Sequence, residues 1–248
     1  MNNYELLREK YLALDKEVRP LIREKNQLQP DVNEKLTYPL FLKDWGYYEA
    51  EIRLMVFGQE TNGWGKKTDS VYGERDNTTV DTLIENYTKF FNDGIPVNYN
   101  SPLWTVFKRF TATIREKYHG SQEEVQYLWN NLVKAGKQDI GFPDKYYNDI
   151  IKPYFNGLVL IEIELLEPDF IIFFTGPDYD FVLDDVFGKP EKCPVTGFTE
   201  KELCEVKLPC KNVKKSFRTY HPNFLYRNNS NRPYKEFLDT MVEEILKV

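Results

Sequence analysis

The sequence predicts an α/β fold, a mostly parallel sheet with helices on both faces. Three observations carry that reading. Short apolar runs, "RLMVF" at 53–57, "EVQYLW" at 124–129 and "DFIIFF" at 169–174, have the length of buried strands. Longer segments with apolar residues at helical spacing lie between them, the alternation that builds parallel sheets. Polar clusters follow the apolar runs directly: Gln59 to Asn62, Asn130 with Asn131, and Tyr220 to Asn223 around His221. In an open parallel sheet the carboxyl ends of the strands share one edge, and ligands bind there.

Each element has a local reason. Residues 3–27 carry leucines and tyrosines at helical spacing, with Pro20 as an expected kink or boundary. "EAEIRLMVFG" at 49–58 is the first strand. The segment from Trp64 to Tyr99 is rich in Gly, Asp, Asn and Thr and holds one helical piece, "TVDTLIENYTKFFND", capped by Thr79 or Asp81. "SPLWTVFKRFTATIREKY" opens a helix with Ser101 as N-cap and Pro102 in the first helical position. "EVQYLWNNLVKAG" reads as a second strand ending in an amide pair. "YYNDIIKPYFNGLVLIEIELLEPDF" reads as a helix with Glu and Lys toward solvent, stopped by Pro168 before the next strand. "SFRTYHPNFLYR" gives a short strand and a loop, and "RPYKEFLDTMVEEILKV" is an amphipathic closing helix. A single domain over 1–248 is expected, with a helical extension at about 1–30 and an excursion or hairpin at about 188–214.

Composition narrows the function classes. Hydrophobic residues make up 41% of the 248, enough for a sizeable core. The net charge of -6 argues against indiscriminate coating of nucleic acid, whose phosphates demand clustered cations. A local basic run exists, "KNVKKSFR", with Lys211, Lys214, Lys215 and Arg218, and Lys66 with Lys67 forms a smaller one. The longest apolar run, "FIIFF", falls far short of the roughly 20 residues a membrane span needs. The start, "MNNYELLREKYLALDKEV", lacks the layout of a signal peptide, so a cytoplasmic location is expected. Cys193, Cys204 and Cys210 have neither paired spacing nor a nearby His, so no metal is expected. A phosphate-binding G-x-x-x-x-G-K-[ST] loop ending at Gly65 and Lys66 fails, because position 60 is Glu and position 67 is Lys.

The ordered motifs resemble the uracil-DNA glycosylase superfamily. "GQETNG" at 58–63 is similar to its GQDPYH motif, and "HPNFL" at 221–225 to its HPSPL motif. Between them, "NSPLWTVFKRF" resembles a PPSL-type helix start. "YLWNNLVKAG" carries an NLVK like the N-V-V-K run of the thermophilic branch, and "FIIFFTG" resembles an apolar strand ending in Gly. The order and rough spacing match from about residue 50 to 245. The resemblance implies a three-layer αβα sandwich that needs no cofactor or metal and acts on DNA as a monomer. It implies Glu60 as the carboxylate that stabilises a sugar cation and orients water, and His221 as a neutral donor to the departing base. Asn131, favoured over Asn130, would read the base edge together with the backbone around Gly58 and Gln59. Tyr99 or Phe91 would stack under the flipped base. Leu225 matches the wedge position, and Lys214, Lys215, Arg218 and Arg227 would meet phosphates.

The sequence departs from that family at named places. Its catalytic Asp is Glu60 here, one methylene longer, and its thymine-excluding Tyr falls at Asn62. Thr61 and Gly63 replace Pro and His of the first motif, and Asn223 and Phe224 replace Ser and Pro of the last. Two functions therefore stand side by side: a glycosylase, and a module that binds nucleic acid or a modified base without turning it over.

Overall fold

The computed structural model describes residues 2–44, 46–61, 64, 72, 78–92, 101–118 and 124–248. It is an α/β chain. Its strands are β1 (Ile52–Glu60), β2 (Val125–Val133), β3 (Phe170–Phe173), β4 (Lys192–Pro194), β5 (Leu203–Val206) and β6 (Lys215–Thr219). Among the described residues they form one mixed six-stranded sheet in the order β2-β1-β3-β6-β5-β4. The helices are α1 (Asn3–Leu28), α2 (Val80–Asn92), α3 (Pro102–Tyr118), α4 (Asn156–Leu166), α5 (Asp180–Phe187), α6 (Pro222–Arg227) and α7 (Tyr234–Ile245). None of the helices among the described residues is long and apolar enough to cross a membrane.

One domain over 1–248 is the sequence expectation. The chain divides into two compact units, each assembled from three stretches: residues 1–43, 59–89 and 130–166, and residues 44–58, 90–129 and 167–248. Both β1 and β2 begin in the second of these and end in the first.

In the first unit, α1 starts with a capping box. The Asn2 side chain accepts from the Glu5 N–H at 2.8 Å, and the Glu5 carboxylate accepts from the Asn2 N–H at 2.9 Å. Leu7, Tyr11, Val18 and Ile22 form its buried stripe. The helix continues through Pro20, so of the kink or boundary expected there it is not the boundary. Pro20 and Lys16 both lie on the exposed side, so the Lys16 carbonyl, which loses its usual partner, meets water. α1 packs on α4, which is preceded by one turn (Asp144–Tyr146) and a π-helical stretch, Tyr147–Phe155. Pro153, with no N–H to donate, sits inside that wider coil. Thr79 caps α2, its hydroxyl accepting from the Thr82 N–H at 3.2 Å.

In the second unit, β1, β3 and β6 run parallel, Phe57 opposite Phe173 and Phe173 opposite Arg218. Their carboxyl ends therefore lie along one edge of the sheet. β5 joins β6 antiparallel and β4 joins β5, which makes the 188–214 excursion a hairpin. Its register sets Cys193 opposite Glu205 and Pro194 opposite Cys204. The two thiols thus fall on opposite faces of the ribbon and cannot bridge. Ser101 starts α3 as the sequence predicts, its hydroxyl accepting from the Trp104 N–H at 3.4 Å. α3 packs against α7, whose Phe237, Leu238, Met241, Val242 and Ile245 are buried. The segment after β6, expected as a loop, is the short helix α6. Pro222 at its first position and His221 as its cap supply a helix start.

Candidate functional site

The first unit brings together the end of β1, the end of β2 and the chain beyond it. β1 runs through buried Gly58 to half-buried Gln59 and Glu60. The next residue, Thr61, is buried and locks this exit: its hydroxyl accepts the Gly136 N–H. The Gly136 carbonyl in turn accepts from the Thr37 N–H at 2.7 Å and the Thr37 hydroxyl at 2.9 Å. Gly136 is required for room, not for an unusual φ. A Cβ there would sit 2.1 Å from the Thr61 carbonyl oxygen.

β2 does not end in its amide pair as the sequence suggests; it continues to Val133. Alternation along the strand sends Asn130 and Lys134 to one face and Asn131 to the other. On the Asn130 face lies a closed polar network. Lys134 is fully buried beside fully buried Glu162, its ammonium 2.7 and 2.9 Å from the two carboxylate oxygens and 2.7 Å from Asn130 Oδ1. Asn130 Nδ2 donates to Glu162 at 2.8 Å, and the Tyr11 hydroxyl donates to the other carboxylate oxygen at 2.8 Å. Tyr11 also accepts from the Leu42 N–H at 3.1 Å. Burial pulls the Lys134 ammonium below its ordinary value, against the opposing pull of Glu162. Burial and then the Glu162 charge hold Tyr11 far above the ordinary phenol value, as a neutral donor.

Two expectations change here. Asn130 gives its amide to Glu162 and its oxygen to Lys134 and to the Asn131 N–H, so its side chain belongs to the network rather than to a base. Glu162, read as solvent-facing, is fully buried. Leu158, Val159, Ile163 and Leu166 are buried around it, so the apolar stripe of α4 runs straight across Glu162. That placement in "LVLIEIELL" is the sequence signal that betrays a buried acid. Lys134, Tyr11, Thr61 and Gly136 carry no such local signal. Asn131 differs from its neighbour. It is 5% exposed, and its side chain stands outside the Lys134–Glu162 network.

In the second unit His221 caps α6. Its Nδ1 accepts from the Asn223 N–H at 3.2 Å. A neutral imidazole that accepts at Nδ1 carries its proton on Nε2. Crowding by protein, and then the Arg227 charge, push the His221 value down to about 4, so the ring is neutral at ordinary pH. Nε2–H therefore is a donor. Gly176, just past β3 with φ +75°, donates its N–H to the Thr219 carbonyl at 2.9 Å, which ties the ends of β3 and β6 together.

The residues expected to meet phosphate separate. Arg218 is fully buried: it holds Asp180 through two 3.0 Å contacts and the Glu200 and Lys201 carbonyls at 2.9 and 2.8 Å. It is an internal strut and offers nothing to a ligand. Lys215 is half-buried and pairs with Glu244 at 3.0 Å. Lys214 stays exposed, 3.2 Å from Asp169, and Arg227 is exposed with its Nε on the Asn223 carbonyl at 3.1 Å. Leu225 is buried at 3% and lines a cleft of about 170 Å³ with Tyr220, Phe224 and Phe237, so it points inward where a wedge would point out. The exposed apolar groups of α6 are Phe224 and Tyr226. Phe91 packs edge-on against Trp104, with ring centres 6.1 Å apart. Tyr99, Asn62, Gly63, Lys66 and Lys67 lie outside the described residues. Among the described residues no group of His, Cys, Asp and Glu is arranged to hold a metal ion.

No family model matches this chain, and no curated protein matches it.

Proposed function

We propose that this protein hydrolyses the N-glycosidic bond of uracil or a related damaged base in DNA, as a monomer with a three-layer fold of the uracil-DNA glycosylase kind. The water oxygen bonds to C1′ of the deoxyribose, the bond from C1′ to the base nitrogen breaks, and its electron pair leaves with the base. Glu60 is the carboxylate that stabilises the sugar cation and takes the water's proton. Asn131 reads the donor and acceptor edge of the base, and His221 donates to the base carbonyl oxygen on which negative charge gathers.

The observation that carries this reading is the hydrogen bond at His221, whose Nδ1 accepts the Asn223 N–H at 3.2 Å. An ordinary histidine is partly cationic near neutrality; burial and then the Arg227 charge favour the neutral ring here, and the contact at Nδ1 leaves Nε2 to carry the proton. A neutral donor suits a base departing as an anion, as it also suits enolate chemistry elsewhere. Asn131 supports the reading, since a nearly buried amide outside the Lys134–Glu162 network offers the donor and acceptor that match an amide-like heterocycle. The Glu60 in place of Asp favours a second reading, binding of a nucleobase without turnover.

One experiment separates them. Duplex and single strands carrying uracil, hypoxanthine or a mismatched thymine are incubated with protein and treated with alkali, which cuts at abasic sites. Cleavage that falls by about 10²–10⁴-fold in Glu60→Gln and in His221→Ala supports hydrolysis. Binding with no cleavage of any substrate supports the second reading, and neither binding nor cleavage refutes both.

A further inference from the structure

Asn131 is nearly buried and its carboxamide takes no part in the network on the other face of β2, yet its backbone is held in an unusual way. Its N–H donates at 2.8 Å to the side chain of the preceding residue, Asn130. A side chain that takes the next residue's N–H fixes its own χ1 and the peptide between the two residues. Asn130 is itself held from beyond: its Oδ1 accepts a 2.7 Å contact from Lys134, and its Nδ2 donates at 2.8 Å to Glu162. Lys134 and Glu162 are fully enclosed, and Tyr11 occupies the remaining acceptor site on Glu162.

A buried ion pair contributes little to stability compared with apolar residues of the same volume. What it does provide is a fixed direction, because every member has one place to go. Here the last member reached is the peptide that sets where Asn131 points. We infer that Lys134 and Glu162 are positioning residues for Asn131, acting through Asn130. The inference rests on the proposed function only for what Asn131 touches; the positioning itself is a property of the free protein.

The chain of contacts runs across β2. The charged pair lies on one face of the strand, and Asn131 projects to the other. No ligand reaches Lys134 or Glu162 in this arrangement, so they are not catalytic residues. If the amide loses its support and samples several orientations, apparent affinity for a ring falls by the fraction of time spent in the competent one.

The test reads the side-chain NH₂ resonances of the full chain by two-dimensional ¹⁵N NMR, with the Asn131 pair assigned by its loss in Asn131→Ser. The wild type is expected to show one narrow Asn131 pair. Asn130→Ala removes the link and leaves the ion pair in place, so the fold is kept; Lys134→Met with Glu162→Gln removes both charges together. Both are expected to broaden or split the Asn131 pair and leave that of Asn26 unchanged, since Asn26 is bonded to Leu36, Tyr72 and Tyr146 instead. Lys134→Arg, which keeps the cation, is expected to retain the narrow pair. A wild-type pair already broad, or a narrow pair in Asn130→Ala, overturns the inference.

Free uracil is then titrated into the same samples. It is expected to shift the wild-type Asn131 pair and to bind about tenfold more weakly to Asn130→Ala. Uracil that leaves the wild-type pair unmoved refutes the nucleobase reading alone, because the line shapes judge the positioning without any ligand.

Discussion

Replacing Glu162 by Gln tests the buried network most severely. Three donors converge on the two carboxylate oxygens: the Lys134 ammonium, Asn130 Nδ2 and the Tyr11 hydroxyl, at 2.7–2.9 Å. A Gln offers one acceptor oxygen and an NH₂ group, so at least one donor must face another donor. Lys134 also loses its counter-charge at a site with no exposure. Removing one partner of a buried pair costs about 3–5 kcal/mol, a large part of a total stability of about 5–15 kcal/mol. Lys134→Met alone strands the carboxylate and belongs in the same range. The double variant Lys134→Met with Glu162→Gln carries no buried charge. Its cost reduces to one or two unpaired polar groups, about 1–3 kcal/mol each. Urea unfolding at neutral pH measures all four proteins, read from midpoints at constant m-value. The double variant should be less destabilised than the sum of the singles by at least about 2 kcal/mol. Strict additivity, or a Glu162→Gln cost below about 1 kcal/mol, would show that the pair is not closed as described.

Other outcomes follow from single contacts. Gly136→Ala places a methyl 2.1 Å from the Thr61 carbonyl oxygen, so urea unfolding should register a loss of about 3 kcal/mol or more, and a change within about 0.5 kcal/mol refutes the close approach. His221 binds its proton near 4 when folded and near 6.5 when unfolded, so the unfolded chain is protonated first as pH falls. Stability should therefore drop by about 2–3 kcal/mol across that window, discounted for partial exposure, with the full contribution present above it. His221→Gln should flatten that part of the stability profile, and an identical profile in both proteins counts against the neutral, half-buried ring. Lys214→Ala with Arg227→Ala should reduce the slope of log affinity for duplex DNA against log salt by about 1–2, and an unchanged slope places phosphate contacts elsewhere.

Local chemistry made much of the fold legible. Ser101–Pro102 and Thr79 announce the starts of α3 and α2, because caps and first-turn prolines are read from adjacent residues. "FIIFF" and "RLMVF" mark strands by length and apolarity alone, and the period of "YKEFLDTMVEEI" marks α7. What stayed hidden depends on partners far away in sequence. Lys134 and Glu162 are separated by 28 positions, and each alone looks like a surface charge. Arg218 reads as one cation in a basic run until Asp180, 38 positions away, accounts for it. The division into two discontinuous units has no compositional trace, because its boundaries fall inside strands as well as between them. For the candidate site, the sequence singles out His221 and Asn131, but only the contacts of their neighbours show how each is held: a ring that accepts at Nδ1, and a peptide N–H taken by the side chain of Asn130.

The chemistry itself can be followed atom by atom. A uracil-containing strand is incubated with the protein in ¹⁸O-enriched water, and both products are weighed by mass spectrometry. Hydrolysis at C1′ predicts free uracil without label and an abasic strand carrying one ¹⁸O, at a rate that collapses in Glu60→Gln. Recovery of the strand intact and unlabelled, under conditions where the protein is shown to bind it, would contradict the account.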